Sequence, residues 1–157
     1  MKNRKELEKL MTDIVEETVE DYTSGKVKRG FENAIEKSCV YVGSKPNSFC
    51  AVGRCLSEDA RSFVISNNLN SGCSAMTLFK SWDRSVYSKG KSLFNDPRYE
   101  DIPQLFWARL QEIHDGESNW DIDESDEDKL VLTELGQNKV SYLIKDIPNI
   151  LIDAGIS

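Results

Sequence analysis

The sequence predicts an α+β fold that is predominantly helical, with one short antiparallel β-hairpin at about residues 39–52. Apolar residues recur every three or four positions through most of the 157-residue chain, which is the spacing of helix faces packed on a core. Two short β-prone runs, 39–42 and 49–52, are separated by loop-forming residues. The length is typical of one domain, so we expect residues 1–157 to fold as a single domain.

Two N-terminal helices are predicted within residues 3–37. In residues 3–22 the apolar side chains form one stripe of an amphipathic helix, at Leu7, Leu10, Met11, Ile14, Val15 and Val19. Gly25 and the polar residues before it end that helix. A second, shorter helix is expected over about 27–37, with three apolar residues to pack on the first, Phe31, Ala34 and Ile35.

The hairpin is predicted to turn at residues 45–46, within a stretch of loop-forming residues. That turn places Tyr41 opposite Cys50 and Cys39 opposite Val52. Because side chains alternate along a strand, these four residues would share one face of the hairpin.

A helical body is expected over residues 57–115. Ser57 and Ser74 each precede an apolar periodic run and are typical N-cap residues. A further helix is expected from about 102 to 114, ending before Gly116. Its start carries a pair of residues at the capping-box spacing, Asp101 and Gln104.

An acidic loop is predicted over residues 117–128, followed by C-terminal helices over 126–156. Ser125 and Asp128 have the capping-box spacing, and three apolar residues follow at helical spacing, Leu130, Val131 and Leu135. Gly136 is expected to interrupt this helix. Pro148 is expected to separate a last short segment, because proline removes a bond from the helical hydrogen-bond ladder.

The charge distribution limits the class of partner. The chain has 20 basic and 27 acidic residues, a net charge of -7, and residues 96–157 carry 5 basic and 15 acidic side chains. Such a surface repels phosphates, so we do not expect binding to double-stranded nucleic acid. The composition also excludes global disorder, a collagen helix and a solenoid. The sequence leaves the oligomeric state open.

The sequence predicts a protein of the cytoplasm that does not enter a membrane. Its longest apolar runs are only a few residues, as in 150–152, whereas a membrane span needs about 20. The basic N-terminus is followed by Glu6 and Glu8, where a signal peptide would carry its apolar stretch.

The four cysteines have two interpretations. Their pattern is C-x10-C-x4-C-x17-C, whereas structural zinc sites usually carry cysteine pairs two to four residues apart. The candidate set for zinc is Cys39, Cys50, Cys55 or Cys73, and His114. In a reducing compartment the alternative is that these thiols are small buried hydrophobic groups. We expect that second role, with no metal and no cofactor.

His114 is the only histidine, so any acid–base step by an imidazole must use it. In a thiol-dependent enzyme Cys50 would be the nucleophile, His114 its base and Asp115 the group that orients the base. The alternative is that His114 caps its helix or bonds a backbone carbonyl.

The acidic tract is the candidate binding surface. It contains Asp121, Asp123, Glu124, Asp126, Glu127 and Asp128, to which Tyr41 is added from the hairpin. The tract could bind a basic partner or mimic nucleic acid. The alternative interpretation is a solvated loop before a helix.

Three blocks of residues resemble a family of small uncharacterised proteins of tailed phages and prophages. They are Cys39-Val40-Tyr41, then Cys50-Ala51-Val52-Gly53 with Leu56, then Leu110-Gln111-Glu112-Ile113-His114-Asp115 with Trp120. The resemblance covers about residues 30–120 and implies a viral accessory protein made in an infected bacterium. The N-terminal helix and the extension after Asp121 lie outside it.

The residues of this motif have two interpretations of their own. The small residues 50–53 would let the hairpin approach a neighbouring helix closely, and the helix end at His114 is a candidate for that neighbour. Tyr41, Cys50 and His114 would then form either a buried polar cluster that stabilises the fold or the lining of a site.

Three functions therefore follow from the sequence. The first is a non-catalytic phage accessory protein that binds and modulates a host or phage protein, in host takeover or anti-defence. The second is a small thiol-dependent enzyme that uses Cys50 and His114. The third is a zinc-stabilised binding module.

Overall fold

The structure is a computed structural model, and it describes residues 2–29, 40–71, 73–123 and 125–157. The α-helices are α1 (Arg4–Thr23), α2 (Glu58–Ser66), α3 (Ala75–Arg84), α4 (Gln104–Asp115) and α5 (Glu134–Asp153). The strands are β1 (Lys28–Arg29), β2 (Ser48–Phe49), β3 (Trp120–Asp123) and β4 (Asp126–Leu132). Single-turn or slightly longer 3-10 helices lie at Gly53–Cys55, Val86–Ser88, Pro97–Asp101 and Glu117–Asn119. The predicted α+β class is confirmed.

The chain divides into two compact units. The first unit contains Met1–Lys28 and Asp101–Ser157, and the second contains Arg29–Glu100. The first therefore holds α1, α4, α5 and the β3–β4 pair, and the second holds α2, α3 and the segments before and after them.

Helix α1 supplies one layer of the first unit. Asn3 caps it in a capping box with Glu6, in which each side chain bonds the backbone N–H of the other residue. Its buried stripe is Leu7, Leu10, Met11, Ile14, Val15, Thr18 and Tyr22. The predicted amphipathic helix is confirmed, but the predicted stripe member Val19 is only half-buried, and the stripe continues through Thr18 and Tyr22 instead. The hydroxyl of Thr18 is buried at little cost because it donates to the Ile14 carbonyl at 2.7 Å.

Helix α5 packs on α1 and on α4. It begins after Thr133, whose hydroxyl accepts from the Gly136 N–H at 3.1 Å. The helix includes Gly136 and runs through Pro148 without a break, so the predicted interruption at Gly136 and the predicted separation at Pro148 are both wrong. Ile147, Ile150 and Leu151 are buried on both sides of the proline, and their burial outweighs the loss of one helical hydrogen bond.

The acidic segment forms an antiparallel pair of strands. Trp120 pairs with Leu132 and Asp121 pairs with Val131. The predictions of a loop over 117–128 and of a helix from 126 are therefore wrong for this segment. Side chains alternate along a strand, so one face buries Trp120 while the opposite face exposes Asp121 and Val131. The sequence places apolar residues in both strands, and their pairing across the hairpin outweighs the helical spacing.

The start of α4 differs from its prediction. The residue that precedes it is Pro103, and no side chain caps the helix. Asp101 instead ends the 3-10 helix Pro97–Asp101, and its carboxylate pairs with Lys2 at 3.1 Å. The capping box of Asp101 with Gln104 is therefore wrong, although the helix itself and its end at Gly116 are as predicted.

In the second unit the two predicted serine caps are confirmed. Ser57 accepts from the Ala60 N–H at 3.1 Å at the start of α2, and Ser74 accepts from the Thr77 N–H at 3.2 Å at the start of α3. The two helices pack through Phe63 and Trp82, whose rings lie edge to face with their centres 5.3 Å apart.

The predicted hairpin is present in its register but is shorter than expected. Val42 pairs with Phe49 in an antiparallel bridge, which is the register that places Tyr41 opposite Cys50. After Cys50 the chain turns into the 3-10 helix Gly53–Cys55 instead of continuing as a strand. Cys39 and residues 30–37 of the helix predicted over 27–37 lie outside the described residues. The described start of that predicted helix, Lys28–Arg29, is strand β1, so the helix prediction is wrong there.

Candidate functional site

The Tyr41 strand segment lies between two neighbours in the second unit. On one side the Tyr41 carbonyl accepts from the Cys50 N–H at 3.4 Å. On the other side Val40 forms an antiparallel bridge with Ser71. The Tyr41 hydroxyl donates to the Cys73 carbonyl at 2.7 Å, and the side chain is only 4% exposed. Tyr41 therefore bonds backbone groups on both sides of its segment, and its side chain is buried within its own unit.

Asn70 completes this arrangement. Its side-chain oxygen accepts from the Val42 N–H at 2.9 Å, and its side-chain nitrogen donates to the Val42 carbonyl at 2.9 Å. The Asn70 carbonyl accepts from the Tyr41 N–H at 3.2 Å. One asparagine thus bonds the strand as a neighbouring strand would. The asparagines of residues 67–70 are the sequence signal that could have indicated this bonding.

The small residues of the motif pack closely against the Tyr41 strand segment. The Cys50 sulfur accepts from the Gly53 N–H at 3.2 Å, and Cys50 is 1% exposed. A methyl group on Gly53 would overlap the carbonyl oxygen of Tyr41 and lie 2.8 Å from its carbonyl carbon. Gly53 makes its close approach to the Tyr41 backbone of the same hairpin, whereas the prediction named a neighbouring helix.

Arg61 of α2 packs against the 3-10 helix Gly53–Cys55 and Phe49, and it is not among the residues predicted from the sequence. Its guanidinium lies 4.0 Å from the centre of the Phe49 ring and donates to the Gly53 and Arg54 carbonyls, each at 3.1 Å. Burial lowers the pKa of Arg61, with Cys55 and Glu58 opposing the change. The carbonyls and the ring face compensate for burial of the charge. Its role is to hold the end of the 3-10 helix.

His114 lies in an aromatic environment in the first unit. It is 1% exposed, and its ring centre lies 4.6 Å from that of Tyr22 and 6.5 Å from that of Trp120. Its Nδ1 is 3.3 Å from a carboxylate oxygen of Asp115, which also accepts from Gln111 at 2.6 Å. The tyrosine beside His114 is therefore Tyr22. The helical spacing of the α1 stripe could have indicated its burial.

The motif residues are divided between the two units. Tyr41 and Cys50 belong to the second unit, whereas His114 and Asp115 belong to the first. Cys50 and His114 are each 1% exposed. A thiol nucleophile needs access to its substrate, so the burial of Cys50 favours a packing role for this residue.

The zinc interpretation finds no assembled site within the part of the chain that the structure describes. In that part, no group of three or more histidine, cysteine, aspartate or glutamate side chains is placed to hold a metal ion. Cys50 and Cys55 are buried and Cys73 is half-buried. Cys39, the remaining member of the predicted set, lies outside it.

The acidic tract forms the β3–β4 hairpin. One face of this hairpin is buried against the rest of the first unit. Trp120 is 6% exposed, and its Nε1 donates to the Ile113 carbonyl at 3.2 Å. Leu130 of β4 is also buried, and α1 packs on this strand. Five of the six predicted acidic residues lie on the two strands, namely Asp121, Asp123, Asp126, Glu127 and Asp128. The sixth, Glu124, lies outside the described residues.

The two units differ in charge. The first unit has ten basic and twenty acidic side chains, a net charge of -10, and the second has ten basic and seven acidic, a net charge of +3. The acidic hairpin belongs to the first unit. The net charge of that unit therefore adds to the negative potential of the hairpin.

Comparison of the chain with protein-family models, with curated proteins and with solved structures finds no match. In the described residues, no helix is both long enough and apolar enough to cross a membrane.

The cysteines provide a direct prediction. In a Cys39→Ser background, we expect an alkylating reagent to label native Cys73, and to label Cys50 and Cys55 only after unfolding in urea. Burial raises the pKa of the Cys73 thiol, so its labelling rate should keep rising above the ordinary thiol pKa. Mass spectrometry of the labelled peptides measures the three rates. Rapid labelling of native Cys50 would contradict its buried position and favour the thiol-dependent enzyme.

Proposed function

We propose that this chain is a non-catalytic accessory protein of a tailed phage or prophage, which acts in the bacterial cytoplasm by binding and modulating a host or phage protein. The viral context is the one implied by the sequence motif. The binding function is supported by the acidic β3–β4 hairpin, whose strands are paired and which belongs to the more acidic of the two units. The partner surface is basic, because it has to complement this charge.

The anchoring of the hairpin supports this role. Trp120 and Leu130 are buried beneath it, and Asp121 on its opposite face is exposed. At its base the Asn119 carbonyl accepts from the Thr133 N–H at 3.0 Å, and the Thr133 hydroxyl donates to the Ser118 carbonyl at 2.7 Å. A segment ordered before binding loses less conformational entropy when a partner binds.

The charge supports the choice of partner. A net charge of -10 on one unit attracts a basic surface over a distance of about one Debye length, roughly 8 Å at physiological ionic strength. The same charge repels duplex phosphates. A basic protein, or the basic nucleic-acid-binding face of a protein, is the partner class that fits this potential.

The test is a binding measurement on charge variants of the hairpin. The partner is first captured from lysate of the bacterial host with tagged protein, identified by mass spectrometry and purified. Titration calorimetry then compares the wild-type chain with a variant that neutralises three hairpin acids, Asp121→Asn, Asp126→Asn and Asp128→Asn. We expect the variant to bind about tenfold more weakly or worse, and wild-type affinity to fall with salt.

The matched control removes the same number of charges elsewhere in the first unit. Glu16, Glu17 and Glu20 are exposed on α1, and their change to glutamine should leave the affinity within about twofold of wild type, since exposed charges away from an interface act weakly. Equal losses in both variants would show that net charge acts without the hairpin. Unchanged binding of the hairpin variant would overturn the proposal.

The thiol-dependent alternative has less support from the structure. It requires a Cys50 thiol that a substrate can reach, whereas the Cys50 side chain is 1% exposed. The labelling experiment described above tests this alternative independently of any partner.

A further inference from the structure

Helix α5 carries a second stripe on the side opposite its buried face. The buried face contains Leu143, Ile147, Ile150 and Leu151. The opposite stripe has alternating spacings of three and four residues and consists of six exposed residues, Leu135, Asn138, Tyr142, Lys145, Asn149 and Ile152. Its three large apolar members are 46%, 72% and 56% exposed, for Leu135, Tyr142 and Ile152 respectively. This is the spacing of a coiled-coil seam.

The order of residues in the stripe is self-complementary. When two copies of α5 are placed antiparallel and centred between Tyr142 and Lys145, Leu135 of one copy faces Ile152 of the other. Asn138 then faces Asn149, and Tyr142 faces Lys145. Every pair is favourable: an aliphatic pair at each end, an amide pair that can exchange hydrogen bonds, and a cation over an aromatic ring at the centre. A two-fold axis produces each pair twice, as an isologous interface requires.

The charges beside the stripe agree with this alignment. Lys139 and Asp146 lie on the same edge of the stripe, one heptad apart. In the antiparallel pair, Lys139 of each copy lies across from Asp146 of the other, which gives two ion pairs related by the two-fold axis. The carboxylate of Asp146 also accepts from Asn149 at 2.9 Å, and this bond holds it beside the seam. A parallel alignment would instead place Lys145 against Lys145.

We infer that α5 is the interface of a homodimer, in which the stripe of one chain docks antiparallel on the same stripe of a second copy. The contact extends over about 26 Å, from Leu135 to Ile152 at the helical rise per residue. One helix pair buries less area than a standard stable interface, so the dimer should form in the micromolar range. The inference goes beyond the proposed function and does not depend on it, because the hairpin and the stripe share no residue.

The first test is sedimentation velocity over a range of concentrations from about 1 to 200 µM, with a folding check by circular dichroism. We expect a monomer–dimer equilibrium for the wild-type chain. Leu135→Glu should raise the dimer dissociation constant by about tenfold or more, because it places a charge against Ile152 of the second copy. Val86→Glu is the matched control, since Val86 is 78% exposed in the second unit, and it should leave the constant unchanged.

The second test determines the alignment. Lys139→Asp and Asp146→Lys should each weaken the dimer several-fold, because each places like charges together, and the double variant should restore it. In addition, a short thiol cross-linker should join a mixture of Leu135→Cys and Ile152→Cys chains, and neither chain with itself, beyond any background from the wild-type cysteines. A chain that is monomeric throughout the concentration range, or a dimer without charge rescue, would overturn the inference.

Discussion

Replacing Gly53 with alanine is expected to lower the free energy of unfolding by about 3 kcal/mol, the upper part of the range for overpacking a well-packed interior. The new methyl group would overlap the Tyr41 carbonyl oxygen and lie 2.8 Å from the carbonyl carbon. These are backbone atoms, so they cannot rotate away as the end of a side chain would.

The Tyr41 strand has little room to shift because it is bonded on both sides. The Gly43 N–H donates to the Ser48 carbonyl at 2.7 Å on one side, and Asn70 bonds Val42 twice on the other. Moving the strand to accommodate the added methyl group would strain or break these bonds. The motif glycine is therefore required by the fold, whatever else the motif does.

Urea unfolding followed by circular dichroism measures the effect. Gly90→Ala is the matched control: nothing lies within 4 Å of the added methyl group, and its φ of 71° makes backbone strain the only cost. That strain is about 1 kcal/mol. If Gly53→Ala cost no more than Gly90→Ala, the close approach of Gly53 to Tyr41 would be contradicted.

The second large effect is expected for Gly136→Ala, and its sign is the opposite of what helix propensity predicts. Gly136 lies in the first turn of α5, where alanine is usually more stabilising than glycine by about 0.5–1 kcal/mol. In the folded chain, however, the added methyl group would overlap the Asn119 carbonyl oxygen and lie 2.9 Å from Leu132 Cδ2. We expect a net loss of about 3 kcal/mol.

The Asn119 carbonyl is held in place because it accepts from the Thr133 N–H, which joins the base of the hairpin to the cap of α5. The variant should therefore destabilise the hairpin together with the start of the helix. Hydrogen exchange would show lower protection in β3 and β4 than in the wild-type chain.

Ser141→Ala is the control for helix propensity. Ser141 is exposed on the same helix, and its replacement should change stability by less than about 0.5 kcal/mol. A Gly136→Ala chain as stable as the wild type would show that the hairpin base moves to make room, and the close packing of Gly136 on Asn119 would be wrong.

Local features of the fold could be predicted because their causes lie within a few residues. Ser57 and Ser74 cap α2 and α3 as expected, since a cap bonds an N–H group only three residues away. The pairing of Val42 with Phe49 follows from the turn between them, because loop length determines register in a hairpin.

The acidic hairpin could not be predicted in the same way. Leu130 and Val131 fit a helical stripe and a strand equally well in so short a run. The residue that favours a strand over a helix here is Trp120, which comes earlier in the chain. Trp120 pairs with the end of β4 and is buried on the same face as Leu130. Likewise, Pro148 predicts a helix break, and the packing of α5 on α1 and α4 prevents it.

The sequence by itself determined the α+β class, the serine caps of α2 and α3, the register of the first hairpin and the concentration of acidic residues toward the C-terminus. These depend on neighbours along the chain or on composition alone. Only the tertiary structure decided that Cys50 and His114 belong to different units, that Tyr22 is the tyrosine beside His114, and that Arg61 holds the end of the motif. Each of these depends on contacts between residues distant in sequence or on how the chain divides, and the free energy of burying such groups together is not encoded in any local pattern.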